Sequence, residues 1–167
     1  MAHIKVLDQI TIDKIAAGEV IERPASIVKE LVENTIDAGA DHVTVEIEDG
    51  GVTLIRITDN GCGIAREDVR NAFLRHSTSK IEHVEDLSHI SSLGFRGEAL
   101  SSIAAVTKTE LVTKPKDDVL GTRYVIEGGK EISFEETGAS DGTTFQIRQL
   151  FYNVPARRKF LKTAMTE

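Results

Sequence analysis

The chain begins with apolar residues at helical spacing and then changes to strict alternation. Thr11 to Val20 carries Ile12, Ile15 and Ala16 along one side, which predicts a short helix. Pro24 suits the first turn of a second helix over Ala25 to Asp37, and Gly39 should end it. On that helix Val28, Leu31, Val32, Thr35 and Ile36 lie opposite Glu30, Glu33, Asn34 and Asp37. From Val43 the period drops to two. Val43, Val45 and Ile47 alternate with Thr44, Glu46 and Glu48, Gly50-Gly51 turns the chain, and a second alternating run from Val52 to Asp59 completes a β-hairpin. Ile55, Ile57 and Asp59 share one parity, so a carboxylate projects from the face that its neighbours bury, where it needs a partner or a ligand.

The middle of the chain is different. Glu67 to Leu74 has a helical pattern, but RHSTSKIEHVED after it is too polar for a strand or a core helix, and a mobile segment is expected there. Glu98 to Val106 reads as a helix with Ala99, Leu100, Ile103 and Ala104 inward. Alternating runs follow at Thr109 to Thr113, Thr122 to Glu127, Glu131 to Glu135 and Thr143 to Gln149, joined by Gly128-Gly129 and Ser140-Asp141-Gly142. Helices and strands come in blocks without βαβ repetition, which predicts an α+β fold: helices on one face of a mixed sheet.

Composition narrows the class. The 167 residues suit one domain with a real core, and no linker or repeat divides them. A single cysteine, Cys62, excludes an internal disulfide and a multi-cysteine zinc site. No signal-peptide block or membrane-spanning run is present, so a cytoplasmic protein without membrane partners is expected. The net charge of -7 argues against a free-standing nucleic-acid binder. The basic cluster Arg157, Arg158, Lys159 and Lys162 reads at least as well as a solvated helix face.

Three groups of residues have the chemistry of a nucleotide site. Periodicity alone makes the acidic side of the second helix a solvated face. Yet Glu30 and Asn34 also stand at i and i+4, about 6 Å apart, where a carboxylate can take a proton from water while an amide oxygen holds Mg²⁺ near phosphates. Asp59 precedes Gly61 and Gly63, whose freedom lets the backbone approach a flat ligand; the plainer reading is a capping Asp at a hairpin exit. An ionised carboxylate only accepts, so it matches the amino group of adenine and opposes the O6 of guanine, a mismatch costing about 1–3 kcal/mol. Gly94-Phe95-Arg96-Gly97 lies ahead of a helix, where free N–H groups favour anions, and Thr78, Ser79 and Lys80 add two hydroxyls and an ammonium. Other chemistries drop out: no G-x-x-x-x-G-K-[ST], no H-E-x-x-H and no G-x-S-x-G occurs, and Gly61 to Arg66 breaks G-x-G-x-x-G at its last glycine.

The order of these pieces resembles the ATP-binding region of the MutL DNA mismatch-repair family, within the GHKL superfamily that includes gyrase, Hsp90 and histidine kinases. Glu30 with Asn34, Asp59 to Gly63, Gly94 to Gly97 and Gly142-Thr143-Thr144 are the superfamily elements. KIAAGEVIERPASIVKELVENTIDAGA from Lys14, FLRHSTSKI from Phe73, SLGFRGEALSSIA from Ser92 and LFYNVPARRKFLK from Leu150 are the more specific ones. The departures, Ser77 and Val154, do not touch the proposed chemistry. The resemblance implies a Bergerat-type two-layer α/β sandwich with a mixed, mostly antiparallel sheet. It implies that Glu30 activates the attacking water, Asn34 coordinates Mg²⁺, and Asp59 reads adenine with Thr143 in support. Gly61, Gly63, Thr78, Ser79, Lys80, Gly94, Phe95, Arg96, Gly97, Glu98, Ala99 and Leu100 would complete the ATP site. It further implies a homodimer formed on ATP binding, with the arm from Met1 to Val20 at its interface, and as partners DNA and a mismatch-recognition protein of the MutS type. Family members continue past PARRKFLK into a second subdomain, so residues 1–167 are expected to be a truncated ATP-binding domain.

Overall fold

The computed structural model of the protein describes residues 3–74 and 99–167, leaving aside the side chains of 18–20. Helix α1 spans Gln9–Val20, capped by the Asp8 carboxylate accepting from Thr11 N–H at 2.7 Å. Helix α2 spans Pro24–Asp37 with the proline at its first position, as expected. Strands β1 (Val43–Glu48) and β2 (Leu54–Asp59) form the predicted hairpin. Its turn takes up Val52 and Thr53 beyond Gly50-Gly51, because Asp49–Gly51 winds into one 3₁₀ turn. Short helices α3 (Arg66–Ala72) and α4 (Ala99–Ala105) follow. Then come β3 (Lys108–Lys114), β4 (Gly121–Glu127), β5 (Lys130–Thr137), β6 (Gly142–Arg148) and α5 (Pro155–Arg158).

The strands form one six-stranded sheet in the order β1-β2-β6-β3-β4-β5, and each pairing among the described residues is antiparallel. The last strand is thus inserted between β2 and β3. Register then decides the two faces. Ile57, Phe145, Leu111 and Tyr124 stand side by side across four strands and are buried beneath the helices. One residue along, Glu46, Arg56, Gln146 and Glu110 form a polar row on the other face, with Arg56 bonded to both Glu46 and Gln146. One apolar and one wet face make this the expected two-layer α+β sandwich.

Two helices differ in detail from the sequence pattern. In α1 the inward face is Ala16 and Ala17, while Ile15 is 56% exposed; small residues let α1 lie close against α4. In α4, Ser101 and Ser102 are buried along with Ile103, Ala104 and Ala105, so this helix is enclosed on more sides than a single apolar stripe indicates. At the sheet's edge β1 is exposed at every position, and a groove of about 490 Å³ runs between it and α2, lined by Pro24, Val28, Val32, Ile47 and Gly51. Among the described residues no helix is long and apolar enough to cross a membrane.

Candidate functional site

Asp59 ends β2 opposite Thr143 of β6, on the sheet face that carries the core. Its residue is 8% exposed. Burial pushes the carboxyl up from the usual range, opposed by backbone N–H groups of Gly61 and Thr143 that donate to it, the former at 2.8 Å to Oδ1. This is the carboxylate on the buried face that strand parity predicts, and the structure satisfies only part of its accepting capacity with backbone.

The loop after Asp59 is held from three sides. Asn60 Oδ1 accepts from Asp41 and His42 N–H, Cys62 N–H donates to Ala38 O at 3.0 Å, and Ile64 N–H donates to Thr113 Oγ1 at 2.9 Å. Ala38 is the C-cap of α2, so the Asp59 loop is tied to the end of the helix bearing Glu30 and Asn34. Glycines are required by this packing. A Cβ on Gly63, at φ +73°, would sit 2.5 Å from Lys114 O, and one on Gly142, at φ +110°, would overlap the Asp59 carbonyl. Gly142→Ala is therefore expected to destabilise the protein by about 2 kcal/mol or more. A lowered urea midpoint at unchanged m-value is the measurement that checks it.

On α2 the core-facing residues are Pro24, Ile27, Leu31 and Thr35. Glu30 and Asn34 lie one turn apart on the adjoining face, both partly buried, and Lys29 pairs loosely with Glu33 at 3.9 Å. Glu33 and Asp37 complete the polar side read from the sequence, but Glu33 turns toward the groove beside β1. From Ala38 back to Glu30 the helix rises about 12 Å, a separation on the scale of a nucleoside triphosphate. Ala99 and Leu100 begin α4 and are partly buried. Thr78, Ser79, Lys80, Gly94, Phe95, Arg96, Gly97 and Glu98 lie outside the described residues, as does the segment expected to be mobile.

Two residues of the site were not singled out by the sequence. Thr113, 1% exposed, places its hydroxyl 2.9 Å from that of Thr143 and 3.1 Å from Gly142 O. Lys114 binds Pro115 O and Asp118 O through Nζ and pairs with Asp141, fastening the strand ends around the Asp59 loop. Parity marks Thr113 as inward, but nothing local says which strand it will meet. Away from the site, Arg157 donates to Ile21 O at 3.1 Å and lies over the Phe151 ring, so this arginine of the basic cluster is engaged in packing.

Residues 21–146 match the family described as histidine kinase-, DNA gyrase B- and HSP90-like ATPases. The chain belongs to that ATPase family. Within it, the whole chain is 69% identical to the DNA mismatch repair protein MutL of Agathobacter rectalis and 56% identical to that of Desulforamulus reducens, in each case covering 26% of the relative. The chain thus spans about a quarter of the length of the curated relatives it matches. Among solved structures, the Aquifex aeolicus MutL ATPase domain complexed with ADP superposes with a TM-score of 0.71 at 37% identity, over 88% of this chain and 50% of that one. These similarities place the chain with the MutL proteins inside the ATPase family and give it the GHKL fold.

Proposed function

We propose that this chain binds ATP between α2 and the Asp59 loop and supplies the water-activating part of a slow, Mg²⁺-dependent ATPase that serves DNA mismatch repair. The observation that carries the reading is the Asp59 carboxylate: buried, raised in pKa by that burial, and surrounded by glycines packed too closely to admit a side chain. A buried acceptor of this kind suits the amino group of adenine and is opposed by guanine O6. The relative solved with ADP supports the same ligand class.

In this reading the purine sits against Asp59, with Thr143 beside it, and the phosphates extend along α2 toward Asn34 and Glu30. Thr78, Ser79, Lys80, Gly94, Phe95, Arg96, Gly97, Glu98, Ala99 and Leu100 would line the phosphate path. Glu30 takes a proton from the water that attacks the γ-phosphorus, and the leaving diphosphate departs in line. Among the described residues no cluster of three or more His, Cys, Asp or Glu could cage a metal. A Mg²⁺ ion would be held by the Asn34 amide oxygen together with substrate phosphates and water, the usual arrangement for this cation. Such an ion neutralises charge on the phosphates.

Calorimetric titration with ATP and GTP in Mg²⁺ tests the site. Saturable ATP binding with GTP weaker by at least about tenfold is expected; equal affinities would remove the adenine assignment. In the full-length protein, ATP-driven dimerisation would couple a MutS-type recognition partner and DNA to later repair steps. A second reading is an ATP-dependent interaction module of the same fold without useful catalysis in this chain. Steady-state phosphate release by the 167-residue chain separates the two.

A further inference from the structure

Thr113 sits near the end of β3, opposite Thr143 of β6, and its hydroxyl meets three partners. Ile64 N–H donates to it at 2.9 Å, Gly142 O lies 3.1 Å away, and Thr143 Oγ1 lies 2.9 Å away. A hydroxyl owns one proton. The amide can only donate and the carbonyl can only accept, so the Thr113 proton points either at Gly142 O or at Thr143.

These alternatives give Thr143 opposite characters. If Thr113 donates to Gly142, the contact between the two threonines requires Thr143 to donate inward, leaving its lone pairs toward the space beside Asp59. If Thr113 donates to Thr143, the Thr143 proton is released to point into that space. Asp59 and Thr143 are directly opposite across the β2-β6 pair, so their side chains are neighbours. An accepting carboxylate beside a donating hydroxyl complements the pairing edge of adenine, where the N6 amino donor adjoins the N1 acceptor.

We propose that Thr113 is a specificity-determining positioning residue: held by Ile64 N–H, its hydroxyl donates to Thr143 when adenine binds, so that Thr143 donates to ring nitrogen N1. This rests on the ATP reading above. Thr113 itself stays behind Thr143 and touches no part of the nucleotide. Its burial on every side is what allows it to choose between only two acceptors, since water does not compete for its proton.

The test is titration of wild type, Thr113→Val and Thr113→Ser with ATP and with 1-deaza-ATP, which carries C–H in place of N1. Wild type is expected to prefer ATP. Thr113→Val removes the donor that fixes and polarises the Thr143 hydroxyl, leaving it free to turn from N1 to the neighbouring Asp59 carboxylate; it is expected to erase about twofold to fivefold of that preference, and Thr113→Ser to restore it. A merely structural role would weaken both nucleotides by the same factor, and that result overturns the proposal, as does an unchanged preference or a wild type indifferent to N1. Should the valine variant not fold, Thr113→Cys, compared with Thr113→Ser of nearly the same shape, puts a much weaker donor at the same place and is expected to lose the preference in the same way. Failure of wild type to bind either nucleotide would instead overturn the ATP reading on which this one stands.

Discussion

Asp59→Asn is expected to remove saturable ATP binding while leaving the protein folded. The variant keeps an oxygen for the Gly61 N–H, which Asp59 Oδ1 accepts at 2.8 Å, but turns an amide NH₂ toward the purine amino group. Donor then faces donor. Losing a charge-assisted bond and leaving a buried donor unmet should weaken ATP about a hundredfold or more. Stability is expected to move the other way. Burial raises the folded-state pKa of Asp59 above its ordinary 3.8, so the folded protein holds the proton more tightly than the unfolded chain. Ionisation therefore costs stability as pH rises through 3.8, and the cost is complete once the pH passes the raised value. At neutral pH the asparagine escapes that cost, and its melting temperature should equal or exceed that of wild type. Over the same acidic range, wild-type ATP affinity should fall as the carboxylate protonates. Lost binding together with a lowered melting temperature would make Asp59 a structural residue and sink its assignment to adenine.

Glu30→Ala should spare binding and stop turnover. The residue lies on α2 beside the core-facing stripe of Ile27 and Leu31, partly buried but not among the helix's buried residues. A positioned general base contributes typically about 10²–10⁴-fold, so phosphate release at saturating ATP should drop by that factor while the dissociation constant moves less than about twofold. The assay belongs on this chain, with Mg²⁺ and saturating ATP. Undiminished release would show that another group activates the water, and a parallel loss of binding would place Glu30 in contact with the nucleotide.

Much of this architecture is visible in local sequence. The change of period from 3.6 to two at Val43 marks where the helices give way to the sheet, and Pro24 and Gly39 bracket α2 because each imposes its own backbone geometry. Asp59 is legible for the same reason: its parity matches Ile55 and Ile57, and the structure buries all three. What local pattern does not contain is partnership. β6 could have followed β5 at the edge of the sheet; instead it pairs with β2 and β3, and only that order puts Thr143 beside both Asp59 and Thr113. The exposed Ile15 is a related case, since helical spacing shows which residues share a side but not which side finds a neighbour.

The position of β6 also bears on how the protein is made. The β1-β2 hairpin and the β3-β4-β5 meander are each built from neighbouring sequence and can form as the chain leaves the ribosome. They become one sheet only when residues 142–148 arrive between them, closing a contact of 84 residues between Asp59 and Thr143 (143 minus 59). Non-local closure of this kind is slow. Until that strand is synthesised and inserted, the nascent chain holds two half-sheets with raw inner edges, a form that chaperones and proteases are equipped to seize. Competence to recognise a purine should appear in a single late step, concurrent with the joining of the halves, so nucleotide capture by ribosome-bound chains would time the completion of folding itself.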